Sequence, residues 1–335
     1  MKLIIQIPCY NEADSLPVTI RDLPRRIPGI DSIEILVIDD GSRDGTSDVA
    51  RRLGVHHVVR HRRNRGLAAA FQSGIDAALA AGADIVVNTD ADNQYDGGAI
   101  AALVQPILEQ RADIVVGDRQ VGSNPHFRAH KRLLQRLGSA VMRRLSGLDI
   151  PDAVSGFRAI SREAARRINI VSSFSYTTEM LIQAGRMRLA VTSVPVGTNA
   201  PLRPSRLFLS IPHFIRNTGI TMARAYAMYN PLKVFATAGA LAALIGVLPI
   251  ARFLYFYFAG DGGGHLQSLV LGGALVIIGV LCIMFGVVAD LVGRNRQLLE
   301  MTLLRLRTLE EERQAPPAPV SRLEVVAGGD ARAQR

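Results

Sequence analysis

Asp90 and Asp92 stand one residue apart, directly after the apolar run Ile85-Val86-Val87-Asn88. Two carboxylates with that spacing at a strand end can face one open space. Hard divalent cations such as Mg2+ or Mn2+ favour a carboxylate or two, completed by phosphate oxygens and water. The pair therefore predicts a cation that holds a diphosphate. An Asp-x-Asp by itself is more often an exposed turn, but here it belongs to a set.

The set has three other members. Asp39-Asp40-Gly41-Ser42-Arg43-Asp44-Gly45-Thr46 carries a second carboxylate pair. One of these could accept from a base N–H and the other help to bind a ribose. Ser42, Asp44 and Gly45 are also good turn and cap residues, and both readings can hold together. Ile7-Pro8-Cys9-Tyr10-Asn11-Glu12 follows the first apolar run, and Ser155-Gly156-Phe157-Arg158 comes later, preceded by Asp152. Asn64-Arg65-Gly66 opens an Ala-rich stretch, where an anion at a helix start competes with a plain cap at Asn64. No glycine-rich dinucleotide fingerprint is present in the Asp39 turn, which argues against hydride transfer.

These clusters need elements to hold them. Residues 3–7, 34–39, 55–60, 84–88 and 113–117 read as buried strands, and 13–27, 46–53, 67–81 and 99–109 as the helices between them. Residues 190–196 could add a strand, and helical segments run to about 187 with an interruption at 152–158. Continuous Val/Ile runs flanked by helices imply a mostly parallel α/β sheet covered on both faces. Ligands of such sheets sit beyond the carboxyl ends of the strands. All the polar clusters fall at those ends, together with Asp118-Arg119.

The second half of the chain changes character. Hydrophobic residues make up 48% of 335, concentrated after residue 230. Residues 232–258 and 268–291 are apolar runs longer than the roughly 20 residues a bilayer core needs. The short loop between them has no Lys or Arg, whereas Arg224 and Lys233 stand before and at the start of the first run and Arg294, Arg296, Arg305 and Arg307 follow the second. The positive-inside rule then predicts a multi-pass protein of the cytoplasmic membrane with both ends in the cytosol. The N-terminus reaches Pro8 without an apolar leader, so the catalytic part is expected in the cytosol too. Residues 208–228, with Arg216 and Arg224, read as amphipathic helices in the membrane interface. Arg252 could snorkel or meet a lipid phosphate. Residues 294–313 read as a charged helix and 315–335 as a disordered tail. The expected boundaries are 1–200, 201–230, 231–292 and 293–335.

The net charge is +10, from 39 basic and 29 acidic residues. With 5% aromatics and no nucleic-acid motif, anionic headgroups explain it better than nucleic acid. Two cysteines far apart suggest neither a disulfide framework nor a zinc site.

Taken together, Pro8-x-Tyr10-Asn11-Glu12, Asp39-Asp40-Gly-Ser-x-Asp44-Gly-Thr, Asp90-x-Asp92-x-Gln94 and Ser155-Gly-Phe-Arg158 resemble the family 2 glycosyltransferases with their GT-A, Rossmann-like nucleotide-sugar domain. Within that family the chain looks like the two-span polyprenyl-phosphate glycosyltransferases, relatives of dolichol-phosphate mannose synthase. The resemblance implies that Pro8, Tyr10, Asn11, Glu12, Asp39 and Asp40 bind the nucleotide sugar. It implies that Asp90, Asp92 and Gln94 surround Mg2+ or Mn2+ and the diphosphate. Arg119 would reach the lipid phosphate or the donor, and Arg132 would stand in the acceptor loop, with Arg128 or Lys131 as alternatives. Asp152 could orient acceptor or sugar, or cap a helix, and Glu179 could touch the sugar or lie on a polar helix face. Processive polysaccharide synthases of this family carry a Gln-x-x-Arg-Trp motif, and this chain has no tryptophan.

The reaction so implied is an inverting single displacement by a polyprenyl phosphate, undecaprenyl phosphate in a bacterial setting. Competing readings are transfer to another lipid or glycan, and a non-catalytic nucleotide-sugar sensor. Two spans form little membrane core alone, so a symmetric homo-oligomer is an expected assembly.

Overall fold

The computed structural model describes residues 1–120, 129–170, 176–199, 226–227, 230–260 and 265–314, with the backbone alone for 129–137 and much of 294–314. Two compact units, Met1–Pro231 and Leu232–Arg335, divide it.

The first unit is a seven-stranded sheet in the order β3-β2-β1-β4-β6-β5-β7. Its strands are β1 (Lys2–Cys9), β2 (Ser32–Asp39), β3 (His57–Arg60), β4 (Ile85–Asn88), β5 (Ile114–Asp118), β6 (Arg158–Ser161) and β7 (Val191–Pro195). All pairs are parallel except those of β6, which runs antiparallel between β4 and β5. The sheet is mostly parallel, as expected, and β6 is the correction. Arg158-Ala-Ile-Ser is too short to show a period and falls where the sequence predicts only an interruption among helices.

Alternate residues of β1 face opposite layers. Leu3, Ile5, Ile7 and Cys9 pack beneath α1 (Leu16–Asp22), α2 (Thr46–Arg52) and α4 (Ile100–Leu108). Ile4, with Leu36 and Ile38 of β2, packs on the other side against α3 (Leu67–Ala80), α6 (Arg162–Arg167) and α7 (Tyr176–Arg186). A further cluster joins Val116 to Met142 of α5 (Ala129–Ser146) and to Leu181 and Ile182 of α7. The first helix is shorter than the predicted 13–27. Pro24 disfavours a helical residue before it, and Leu23 is already extended at ψ 141°.

The second unit contains α8 (Pro231–Phe258) and α9 (Leu266–Gln314). Within it Pro231–Phe258 and Leu266–Gly293 are each 28 residues long, and an 18-residue stretch of each has a mean hydropathy of 2.2 and 2.8 respectively, so both are long and apolar enough to cross a membrane. They meet through glycines. A Cβ at Gly286 would press on Phe235, and one at Gly279 on Ala243 at 2.9 Å. Small residues of this kind let two helix backbones approach closely. The sequence places a charged helix, 294–313, directly after the second span. In the structure the two form one helix: α9 runs through Gly293 without interruption. The predicted amphipathic helices of 208–228 and the tail of 315–335 lie outside the described residues, apart from a helical Tyr226 and Ala227.

Candidate active site

Six parallel strands end along one rim of the sheet, at Cys9, Asp39, Arg60, Asn88, Asp118 and Pro195. The loops leaving that rim carry the candidate residues, and they are fastened to one another by their own side chains.

The turn after β1 and the turn after β2 interlock. Asn11 sits in the left-handed region at φ 54°. Its N–H donates to Ser42 Oγ at 2.9 Å, and its Oδ1 accepts from Arg43 N at 2.9 Å. The N–H of buried Glu12 donates to Thr46 Oγ1 at 3.0 Å, and that of Ala13 to Asp44 Oδ2 at 3.0 Å. Asp39 is buried. It accepts from Ser42 N at 2.8 Å and from Ser47 Oγ, and Arg60 Nε lies 3.5 Å away. Asp40 is also buried, and it gathers the loop after β3. His61 Nδ1 is 2.7 Å from Oδ1, and the N–H groups of Arg65 and Gly66 each donate at 2.8 Å. These bonds realise the turn reading of both aspartates. Asn64 caps nothing that is shown; Gly66 is the cap position of α3, without a side-chain bond.

Between these loops lies a cavity of about 530 Å3, lined by Tyr10, Gly41, Ser42, Arg43 and residues 60–64. Tyr10 is 42% exposed and offers a flat apolar face, while Arg43, Arg60, Arg62 and Arg63 bring four guanidinium groups. A planar ring with phosphates attached fits such a lining. Pro8 is buried in β1, opposite Ile38, and forms the base of the turn rather than its lining.

Asp90 and Asp92 leave the end of β4, next to β1 in the sheet. Asp92 Oδ1 accepts from Gln94 N at 3.1 Å, which tightens the turn, and Asn93 takes φ 55° to close it. Gln94 is partly exposed, and its carbonyl accepts from Asn199 N at 2.9 Å. The Asp90 carboxyl is pushed up to about 7, first by desolvation, then by the charges of Asp92 and Glu12, against the pull of Arg119. A carboxylate so burdened with like charge gains from a cation. Among the described residues no three His, Cys, Asp or Glu side chains close on one point. Asp90 and Asp92, with Gln94 nearby, therefore fit a cation that takes its remaining ligands from phosphate and water, as Mg2+ and Mn2+ do.

Arg119 follows β5. Its Nε and Nη2 donate to Asp152 Oδ2 and Oδ1 at 2.7 and 3.0 Å, and 12% of its side chain remains exposed. Asp152 is buried, so its place is behind the guanidinium. Arg119 is also close enough to Asp90 to lower its pKa. Arg132 and Lys131 lie on α5, with side chains outside the described set, and Arg128 lies outside it altogether. Glu179 is buried in α7 and accepts from Gln183 Nε2 at 3.3 Å.

Sequence reasoning missed the polar groups behind Asp90. Asn88, Tyr95 and Tyr176 are buried there, around the Gly156 peptide. Arg158 of the Ser-Gly-Phe-Arg run is wholly buried, donating to the carbonyls of Ser155, Thr177 and Ala153 at 2.8–2.9 Å. Desolvation lowers its pKa to about 10, so it stays charged at neutral pH. Arg158 stands in its motif without a role assigned from the sequence, and its burial is what the structure adds.

Residues 4–168 match the model of the family "Glycosyl transferase family 2". The chain is 30% identical over 298 residues to glycosyltransferase AglJ of Haloferax volcanii, covering 86% of this chain and 92% of that one. It is 29% identical over 206 residues to the undecaprenyl-phosphate mannosyltransferase of Micrococcus luteus, covering 58% and 83%. In fold it is similar to glucosyl-3-phosphoglycerate synthase of Mycobacterium tuberculosis, solved with Mn2+, UDP-glucose and phosphoglyceric acid. The TM-score there is 0.54 at 22% identity, covering 68% of this chain and 80% of the other. The rim of interlocked turns, the paired carboxylates and these similarities agree: the chain is an enzyme of the family 2 glycosyltransferases, with a GT-A fold.

Proposed function

We propose that the chain transfers a monosaccharide from a nucleotide-diphosphate sugar to a polyprenyl phosphate, such as undecaprenyl phosphate, at the cytosolic face of a membrane. One observation carries this reading. Asp90 and Asp92, suited to a cation, and Arg119, suited to an anion, stand within electrostatic reach of each other on one rim. A donor diphosphate and an acceptor phosphate need that combination. The two apolar helices and the lipid-phosphate substrates in the names of relatives support the acceptor.

In this reading Tyr10, Asn11, Glu12, Asp39 and Asp40 shape the nucleoside end of the site, with Pro8 beneath them. Mg2+ or Mn2+ held by Asp90, Asp92 and Gln94 would offset the charge that gathers on the departing diphosphate. Arg119, held by Asp152, and Arg132 keep the acceptor phosphate in line with the anomeric carbon. An alkyl phosphate is largely ionised near pH 7, with its second pKa about 6. Its oxygen forms the new bond to the anomeric carbon while the bond to the diphosphate oxygen breaks and takes the electron pair. No proton has to be removed first, and the anomeric centre inverts.

The test is a transfer assay. Membranes bearing the protein receive undecaprenyl phosphate, Mg2+ and each radiolabelled nucleotide sugar in turn, with Asp92→Ala as control. A labelled lipid cleaved by mild acid, made by the unmodified protein alone, is expected. Label in another lipid or a glycan would replace the acceptor, and no label in any product would reject the reading.

A further inference from the structure

Asn88 is the last residue of β4, two positions before Asp90, and it is fully buried. In register it stands between Gln6 of β1 and Arg158 of β6. Partners across a ladder share a face of the sheet. The face beneath α3 and α7 thus carries a polar row, Gln6-Asn88-Arg158, next to the apolar row Ile4-Val86-Ile160. A buried amide costs free energy unless it is hydrogen-bonded, and an aliphatic side chain would fill the same place without that demand.

Asn88 ties the Gly156 peptide to its neighbours. Its Oδ1 accepts from Gln6 Nε2 at 2.9 Å, and its Nδ2 donates to the Gly156 carbonyl at 2.8 Å and to Tyr176 Oη at 3.0 Å. From the other side the Gly156 N–H donates to Tyr95 Oη at 3.1 Å. Both tyrosine rings are stacked on a phenylalanine. Tyr95 stacks on Phe157 at 4.9 Å between centroids, and Tyr176 on Phe71 at 4.2 Å. The open side of Gly156 meets Asp90: a Cβ there would stand 3.3 and 3.4 Å from the two carboxylate oxygens and 2.8 Å from Tyr176 Oη.

We propose that Asn88, with Tyr95 and Tyr176, is a positioning residue of the sugar transfer. It clamps the Gly156 peptide, and that peptide is the wall that fixes the Asp90 carboxylate. None of the three needs to touch substrate. The inference rests on the reading above, in which Asp90 helps to hold the donor's cation. Partners behind a ligand set its orientation, and their loss typically costs 10–100-fold in metal affinity or activity.

The experiment compares full-length Asn88→Ala, Tyr95→Phe/Tyr176→Phe and Asp90→Ala with the unmodified protein in detergent. Free Mn2+ is followed by electron paramagnetic resonance in the presence of UDP, beside thermal melts and steady-state kinetics. Asn88→Ala is expected to raise the Mn2+ dissociation constant about tenfold and to lower kcat by a similar factor, leaving the acceptor KM unchanged. The Tyr→Phe pair keeps both ring stacks, so it reads the clamp even if Asn88→Ala does not fold. Its effect is expected in the same direction with little loss of Tm. Lower Tm with normal Mn2+ affinity and kcat in the folded variants would make the network structural only and overturn the proposal. If Asp90→Ala itself keeps full Mn2+ affinity, the cation reading falls and takes this inference with it.

Discussion

Asp90 shows how a site residue can work against the fold that holds it. Its folded-state pKa of about 7 lies well above the ordinary carboxylate value near 3.9. The folded state thus keeps a proton that the unfolded state releases, so stability falls as pH rises from about 4 through 7. Asp90→Asn removes the titration. In EDTA its Tm should exceed that of the unmodified protein at pH 8, with the gain shrinking toward pH 4. An equal gain at both values would show that the carboxylate is not strained. Asp92→Ala should abolish cation-dependent donor binding and turnover, and calorimetry with UDP and Mn2+ reads this without an assay. Arg119→Lys keeps the charge but loses the two-pronged pairing with Asp152. A fall in kcat of about tenfold with donor binding nearly intact is expected, and unchanged kinetics would remove Arg119 from the reaction. The placement of Asp90, Asp92 and Arg119 just past strand ends was legible because they follow predicted strands. Tyr95 and Asn88 were not, because nothing local tells a polar side chain that braces a site from one that merely ends a strand.

At the scale of the element, the loops matter more than the strands. Gly41 has φ +75°, and a Cβ there would run into the backbone of Arg63 and Asn64. Gly45 has φ +83° but faces open space. Both substitutions by alanine carry the left-handed strain of roughly 1–2 kcal/mol, and Gly41→Ala must in addition push the loop after β3 away from the cavity. Gly41→Ala should therefore weaken UDP binding while Gly45→Ala should not; similar affinities for both would mean that the loop moves aside freely. Five of the six parallel strands and the helices between them were readable from Val/Ile runs and turn residues, and 190–196 stood as a possible sixth. β6 was hidden because four residues carry no period, and its place is set by partners distant in sequence, Ile85 and Ile114. The end of α1 was legible in principle from Pro24.

For the molecule as a whole, the two apolar helices are long enough to cross a membrane. Only about a tenth of each 18-residue apolar window is buried, and exposed Leu, Ile, Val and Phe on that scale need lipid or other protein around them. The protein should float with liposomes and stay with them through a high-salt wash. Release by salt would make its attachment electrostatic and would refute the two spans. That pattern was the plainest message in the sequence, since length and hydropathy suffice to read it.

The continuity of α9 reaches further. Past Gly293 the helix continues to Gln314, and at 1.5 Å per residue those residues add about 30 Å of rod. Set across a bilayer, the helix would behave as a lever with no joint at the water surface. Helices tilt to match bilayer thickness, so a tilt of about 10° would sweep the far tip sideways by roughly 5 Å. The tip would then act as a pointer to the thickness of the membrane around it.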